Sequence, residues 1–182
     1  GLQITDYYGA CVPLAPGTTA RPDIQFGCLS CDQSFAVGMQ YDGRLVENET
    51  TGVQCAILHT TATGQRRIRV INLALPCTKQ AVDVFRSCDY EAMVSLLTKQ
   101  AITKLPTMSL SQLTTGSMFS RVSQVLAAYR KVAASNVAAS QLILPEELRL
   151  LPLFLLGIMK STAFSPITAT ADARMAGVRL LL

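Results

Sequence analysis

Six cysteines, one histidine and a knot of arginines are the residues whose types and spacing bear on chemistry. Cys28-Leu29-Ser30-Cys31 forms a CxxC pair. A closed structural zinc site takes four ligands, and no second CxxC is present to complete one. A redox CxxC normally opens a helix, where the dipole lowers the thiol pKa. Here the pair ends a strand-like run and no helical pattern follows, so Cys28 and Cys31 read as incidental thiols. His59 is the only histidine. It would act as a base only beside a nucleophile and an orienting acid. No Gly-x-Ser-x-Gly or catalytic-cysteine context occurs, so it reads as a packed strand histidine. Gly64 stands alone, without the glycine-rich loop that cradles phosphate. Glu146-Glu147 follows Pro145, as acids at a helix start do. No catalytic residue and no metal-ligand set is assigned, and the chain reads as a non-enzymatic scaffold.

The polar cluster with functional potential is Gln65-Arg66-Arg67-Ile68-Arg69. In a strand, Arg67 and Arg69 share one face and Arg66 sits beside the turn. Two readings stand. One is a guanidinium cluster for lipid head groups, carboxylates or a neighbouring domain. The other is a solvated strand face with local salt bridges. Three arginines so close repel unless something acidic meets them.

These residues need elements to position them. Apolar residues make up 49% of the 182 and charged ones 15%, enough for a packed core and against disorder. Residues 1–76 carry five Lys/Arg against six Asp/Glu, and residues 77–182 carry eleven against six. The excess in the second part is mild, which argues against nucleic acid as the default partner and leaves an anionic membrane or an acidic protein. Buried free thiols in a reducing compartment are the simplest reading of the cysteines. Asn48-Glu49-Thr50 fits the glycosylation acceptor pattern, which carries no meaning in a cytosolic chain. The start shows no basic or apolar targeting pattern and no initiator Met, and the end stops on Leu180-Leu181-Leu182. Both ends read as cut from a longer polypeptide.

Residues 1–76 read as strands. Leu2 to Val12, Asp23 to Leu29 and Ser34 to Tyr41 are three; in the last, Phe35, Val37, Met39 and Tyr41 alternate onto one face. Val53 to Thr60 and Arg67 to Leu75 flank Thr61-Ala62-Thr63-Gly64 as a hairpin. Short strands with turn signals between them imply a small β-sandwich or barrel. At Pro76 the period changes from two to 3.6. The spacing predicts helices over Lys79 to Ser87, after an Asp89 cap with Glu91 in the first turn and Lys99 near the end, and over Ser109 to Ala134. Met118, Val122, Val125, Tyr129 and Val132 form a stripe on the last of these. Residues 135–140 read as a loop. Pro145 suits a first helical position. Leu150 to Met159 is too short to span a membrane and reads as a helix at the centre of the bundle. Ala171 to Leu182 is the final helix. The fold class is α+β: a β-sandwich or barrel portion over 1–76, then an all-α helical domain over 77–182.

Residues 55–76, CAILHTTATGQRRIRVINLALP, resemble the barrel hairpin of the inner-layer subunits of the COPII vesicle coat. GLQITDYYG at the start resembles the cargo-binding, Sec24-type subunit of that layer. So do VFRSCDYEAMVSLLTKQA at 84–101, VLAAYRK at 125–131 and SQLILPEELRLLPLFLLGIMKS at 140–161. The resemblance is loosest at 10–33 and 103–117. It implies a piece holding the main part of the β-barrel and most of the helical domain. The zinc finger, with its zinc, the trunk and the gelsolin-like domain would lie outside it, and no cofactor is expected within it. It further implies a non-catalytic role in endoplasmic reticulum to Golgi transport, on the cytosolic face of the endoplasmic reticulum and on COPII vesicles. The implied partners are the sister inner-coat subunit, a small GTPase and cargo sorting signals. The resemblance transfers no individual binding residue; it is the clustering of Arg66, Arg67 and Arg69 that points to contact with the membrane or a partner domain. The competing reading is a nucleic-acid module with an OB-like barrel. Such modules add aromatic stacking platforms, and the chain has no Trp and no aromatic beside the arginines.

Overall fold

A computed structural model describes residues 1–14, 23–43, 45–133, 141, 143–165 and 169–182. The expected loop over 135–140 falls outside these residues.

Strand β1 (Leu2–Gly9) pairs antiparallel with β4 (Phe35–Tyr41), Leu2 facing Tyr41 and Gly9 facing Phe35, with a bulge between Ile4 and Asp6. Gly38 sits opposite that bulge, where a Cβ would come within 3.1 Å of Thr5 Oγ1 and 3.2 Å of Asp6 Cβ. Short strands β2 (Val12–Pro13) and β3 (Ile24–Gln25) form a second pair. Pairing thus breaks after Gly9, so the first predicted strand is two. The strand predicted to reach Leu29 ends at Gln25, leaving 28–31 outside the sheets. Phe26 and Phe35 pack at 5.4 Å between ring centroids. The third pair is the hairpin of β5 (Thr50–Thr60) and β6 (Arg66–Pro76), in unbroken register from Thr50↔Pro76 to Thr60↔Arg66. Its turn closes where Thr61 N–H donates to Gln65 O at 2.8 Å, with Gly64 at φ +81°. That positive φ explains the glycine.

The helical part follows. Helix α1 is Ala81–Arg86 and α2 is Tyr90–Lys104. The Asp89 carboxylate accepts from Glu91 N–H at 2.8 Å and Ala92 N–H at 3.3 Å. It thereby satisfies two amides that a helix start leaves unpaired. Residues 109–134 do not form one regular α-helix: Gln112–Met118 is a π-helical turn, which passes into α3 (Phe119–Ala133). A 3-10 turn over Glu146–Leu148 precedes α4 (Leu151–Lys160), and α5 runs Ala171–Leu181. Pro145 stands before the 3-10 turn with extended backbone rather than inside a helix, while Pro152 occupies the first turn of α4. There its missing N–H leaves no gap in the ladder.

The core lies in the helical part. Leu113, Leu148, Leu151, Ala163 and Phe164 are wholly buried, joined by Ala101, Met118, Val122 and Leu155. Among the described residues of 1–76 none is fully buried. Helix α2 is the hub, packing against β1, β4, α4, α5 and the π-helical turn. Two expectations need correction. Helix α4 is not central: Leu151 and Leu155 are buried, but Leu153, Phe154 and Leu156 face outward. An apolar run specifies burial only where neighbours surround the helix, and here they cover one side. The cysteines are not buried either; Cys28 and Cys31 are exposed, and the other four are half-buried free thiols.

Candidate functional site

The hairpin carries the arginines. β5 contributes a half-buried row, Thr51, Val53, Cys55, Ile57 and His59, while every residue of β6 except Leu75 is exposed. The register sets Arg67 opposite His59, Arg69 opposite Ile57 and Arg66 opposite Thr60. Side chains alternate along a strand. Arg67 and Arg69 therefore share the face of His59, and Arg66 projects from the other. Arg67 Nη2 donates to Gln65 Oε1 at 2.6 Å, a neutral acceptor. Among the described residues none of the three arginines forms an ion pair; the pairs seen are Lys79–Glu47 and Arg86–Asp83. On the face of Arg66 lie Leu58, Ile68 and Val70, all more than half exposed. The tip thus combines unneutralised guanidinium groups with open apolar surface.

A groove of about 490 Å³ lies beneath the hairpin's far end, lined by Leu2, Tyr41, Leu75, Cys77 and Val84 among others. Lys79 and Glu47 pair at its rim at 2.9 Å. Among the described residues no group of three His, Cys, Asp or Glu side chains could hold a metal ion. Cys31 donates weakly to Asp32 Oδ1 at 3.7 Å, and His59 stands opposite Arg67 in the hairpin. Cys28, Cys31 and His59 are not assembled into one site.

Sequence reasoning misread Lys99. It does not serve the end of its own helix, which continues to Lys104; it is 1% exposed. Its ammonium donates to Leu181 O at 3.4 Å and to Leu182 O, at the C-terminal end of α5. That helix end carries partial negative charge. Burial lowers the Lys99 pKa below 10.5, and the nearby Cys11 pushes it up. Burial raises the Cys11 thiol above 9.0, opposed by its backbone hydrogen bond and by Lys99. Its neighbours Leu96, Leu97 and Ala101 hint at burial, but nothing in the local sequence points to its partners on α5.

Fold and hairpin together define a β-sandwich domain followed by a helical domain. The chain belongs to the Sec23/Sec24 family: residues 1–78 match its beta-sandwich domain and 89–182 its helical domain. It is similar to Protein transport protein SEC24 B of Arabidopsis thaliana, 36% identical over 160 residues, covering 88% of this chain and 14% of that protein. Human Protein transport protein Sec24C is 34% identical over 185 residues, covering all of this chain and 16% of that one. Human Sec24D is 34% identical over 164 residues, covering 88% and 15%. The crystal structure of the human COPII-coat protein Sec24c superposes with a TM-score of 0.83 at 31% identity, over 100% of this chain and 22% of that one. The chain thus spans only a small part of these relatives. The relatives are of the Sec24 type, and they give no support to the nucleic-acid reading.

Proposed function

We propose that this chain is a structural part of a COPII coat cargo-adaptor subunit and does no catalysis. The observation that carries the reading is likeness to human Sec24c along the whole chain, both domains in the same order. In this reading the work is geometric: α2 ties the β1–β4 pair to the bundle and holds it at a fixed angle. The parent acts in the cytosol at the endoplasmic reticulum membrane, with the sister inner-layer subunit, the small GTPase and cargo tails as partners. Among the described residues no helix is long and apolar enough to cross a membrane, which fits attachment through partners and surface charge. The test is a human Sec24C chimera in which this chain replaces its counterpart. Recruitment to liposomes with the GTPase and the sister subunit supports the reading; a chimera that folds but is not recruited contradicts it.

The hairpin tip is the surface we assign to the membrane or a partner domain, through Arg66, Arg67 and Arg69. Exposed guanidinium groups near an anionic leaflet contribute about 1 kcal/mol each, falling off over a Debye length. In the same chimera, replacing all three by Ala is expected to weaken binding to anionic liposomes and to flatten its salt dependence. Unchanged liposome binding would remove the membrane as their target.

A further inference from the structure

Between α2 and the π-helical turn lies a small polar recess that none of the above uses. Its walls are Leu97, Gln100, Ala101 and Lys104 from α2, and Ser117, Met118 and Arg121 from the turn and α3. The four α2 residues recur at three- and four-residue spacing, which puts them on one helix face. The π-helical turn supplies the opposite wall, and such turns concentrate at functional sites. Arg121 Nη1 donates to the Gln100 side-chain oxygen, a neutral acceptor. Lys104 is half-buried, and neither cation forms an ion pair among the described residues. Two cations, a hydroxyl and an amide therefore converge on one opening with no acid to neutralise them.

We infer that this recess is an acceptor for a single carboxylate, the Asp or Glu side chain of a partner protein's acidic segment. Size limits the contact. The inner volume is about 10 Å³, room for roughly one water-sized atom, so a single anionic oxygen enters rather than a whole nucleotide or head group. Chemistry agrees: Gln100 holds only one Arg121 nitrogen, so another guanidinium donor can bond that oxygen while Lys104 supplies a second charge. The inference does not depend on the coat reading.

The test uses nitrogen-15-labelled protein and two probes, acetyl-Gly-Glu-Gly-amide and its Gln counterpart, read by nuclear magnetic resonance. The Glu peptide is expected to shift the Arg121 Nε–H and Ser117 amide signals saturably, with binding that weakens as salt rises. The Gln peptide is expected to do neither. Arg121→Gln and Lys104→Gln should each weaken binding about tenfold, the scale of one lost charged hydrogen bond. Arg121→Lys should recover part of the loss. Equal response to both peptides, no saturable shift, or a response to inorganic phosphate alone would overturn the inference. The two-peptide comparison needs no variant, so it decides the matter even if a substitution unfolds the protein.

Discussion

The Lys99 ammonium donates to the Leu181 carbonyl at 3.4 Å, joining the middle of α2 to the end of α5 inside the fold. A buried cation held by carbonyl oxygens makes the bundle sensitive to alkaline pH, and the sign follows from its lowered pKa. The unfolded chain binds the Lys99 proton more tightly than the folded one. The folded state therefore carries a penalty below its own Lys99 pKa, relieved as pH rises toward 10.5. Cys11 acts oppositely. Its raised pKa means the folded thiol keeps its proton after the unfolded one has lost it, so stability falls as pH passes 9.0. Cys88 and Tyr90 are raised as well and lower stability over the same range, so Lys99 is read as a difference: toward pH 10.5 the Cys11→Ala protein should gain stability, by urea titration, relative to Cys11→Ala/Lys99→Met. The same pH dependence in both proteins would contradict the role given to Lys99.

The Asp89 cap gives a second expectation. Asp89→Ala leaves the Glu91 and Ala92 amides without their acceptor. It should destabilise the protein by about 1 kcal/mol. Asp89→Ser should restore most of that, because a hydroxyl can accept the same bonds. Urea midpoints of the three proteins check both steps.

Close packing at Gly177 gives a third. A Cβ there would stand 2.5 Å from Thr162 Oγ1 and 2.9 Å from Ala163 N, the second of which is backbone. Gly177→Ala should therefore destabilise by about 1–3 kcal/mol, despite alanine's better helix propensity. A thermal midpoint at or above that of the unaltered protein would show that α5 does not seat on the 161–165 turn.

Core and hairpin should respond unequally. Phe164 is wholly buried and Ile68 is 68% exposed. Phe164→Ala is expected to lose about 3–5 kcal/mol, while Ile68→Ala stays within about 0.5 kcal/mol. A large loss at Ile68 would mean that the exposed strand face is covered in solution.

Much of this architecture was legible because local rules govern it. The Thr61–Gly64 turn, the Asp89 cap and the stripe of Met118, Val122, Val125 and Tyr129 each follow from spacing within a few residues, although Val132, expected to continue that stripe, is exposed. What was not legible depends on distant neighbours. Leu153, Phe154 and Leu156 look like core by type, yet only tertiary packing determines which side of α4 is covered. Lys99 looks like a helix-end charge until α5, far along the chain, brings its carbonyls to it. The π-helical turn leaves little trace, since its residues fit an α-helical pattern almost as well. The arginine triplet was legible as a cluster on one strand. The recess at Lys104 and Arg121 was not, because its two walls come from different helices.

The most direct measurement is vesicle formation from endoplasmic reticulum membranes by human Sec24C carrying this chain in place of its counterpart. Vesicle yield comparable to the unaltered subunit is the predicted result. A chimera that folds and yet releases no vesicles above background would contradict the claim that this chain is a structural part of a COPII coat subunit.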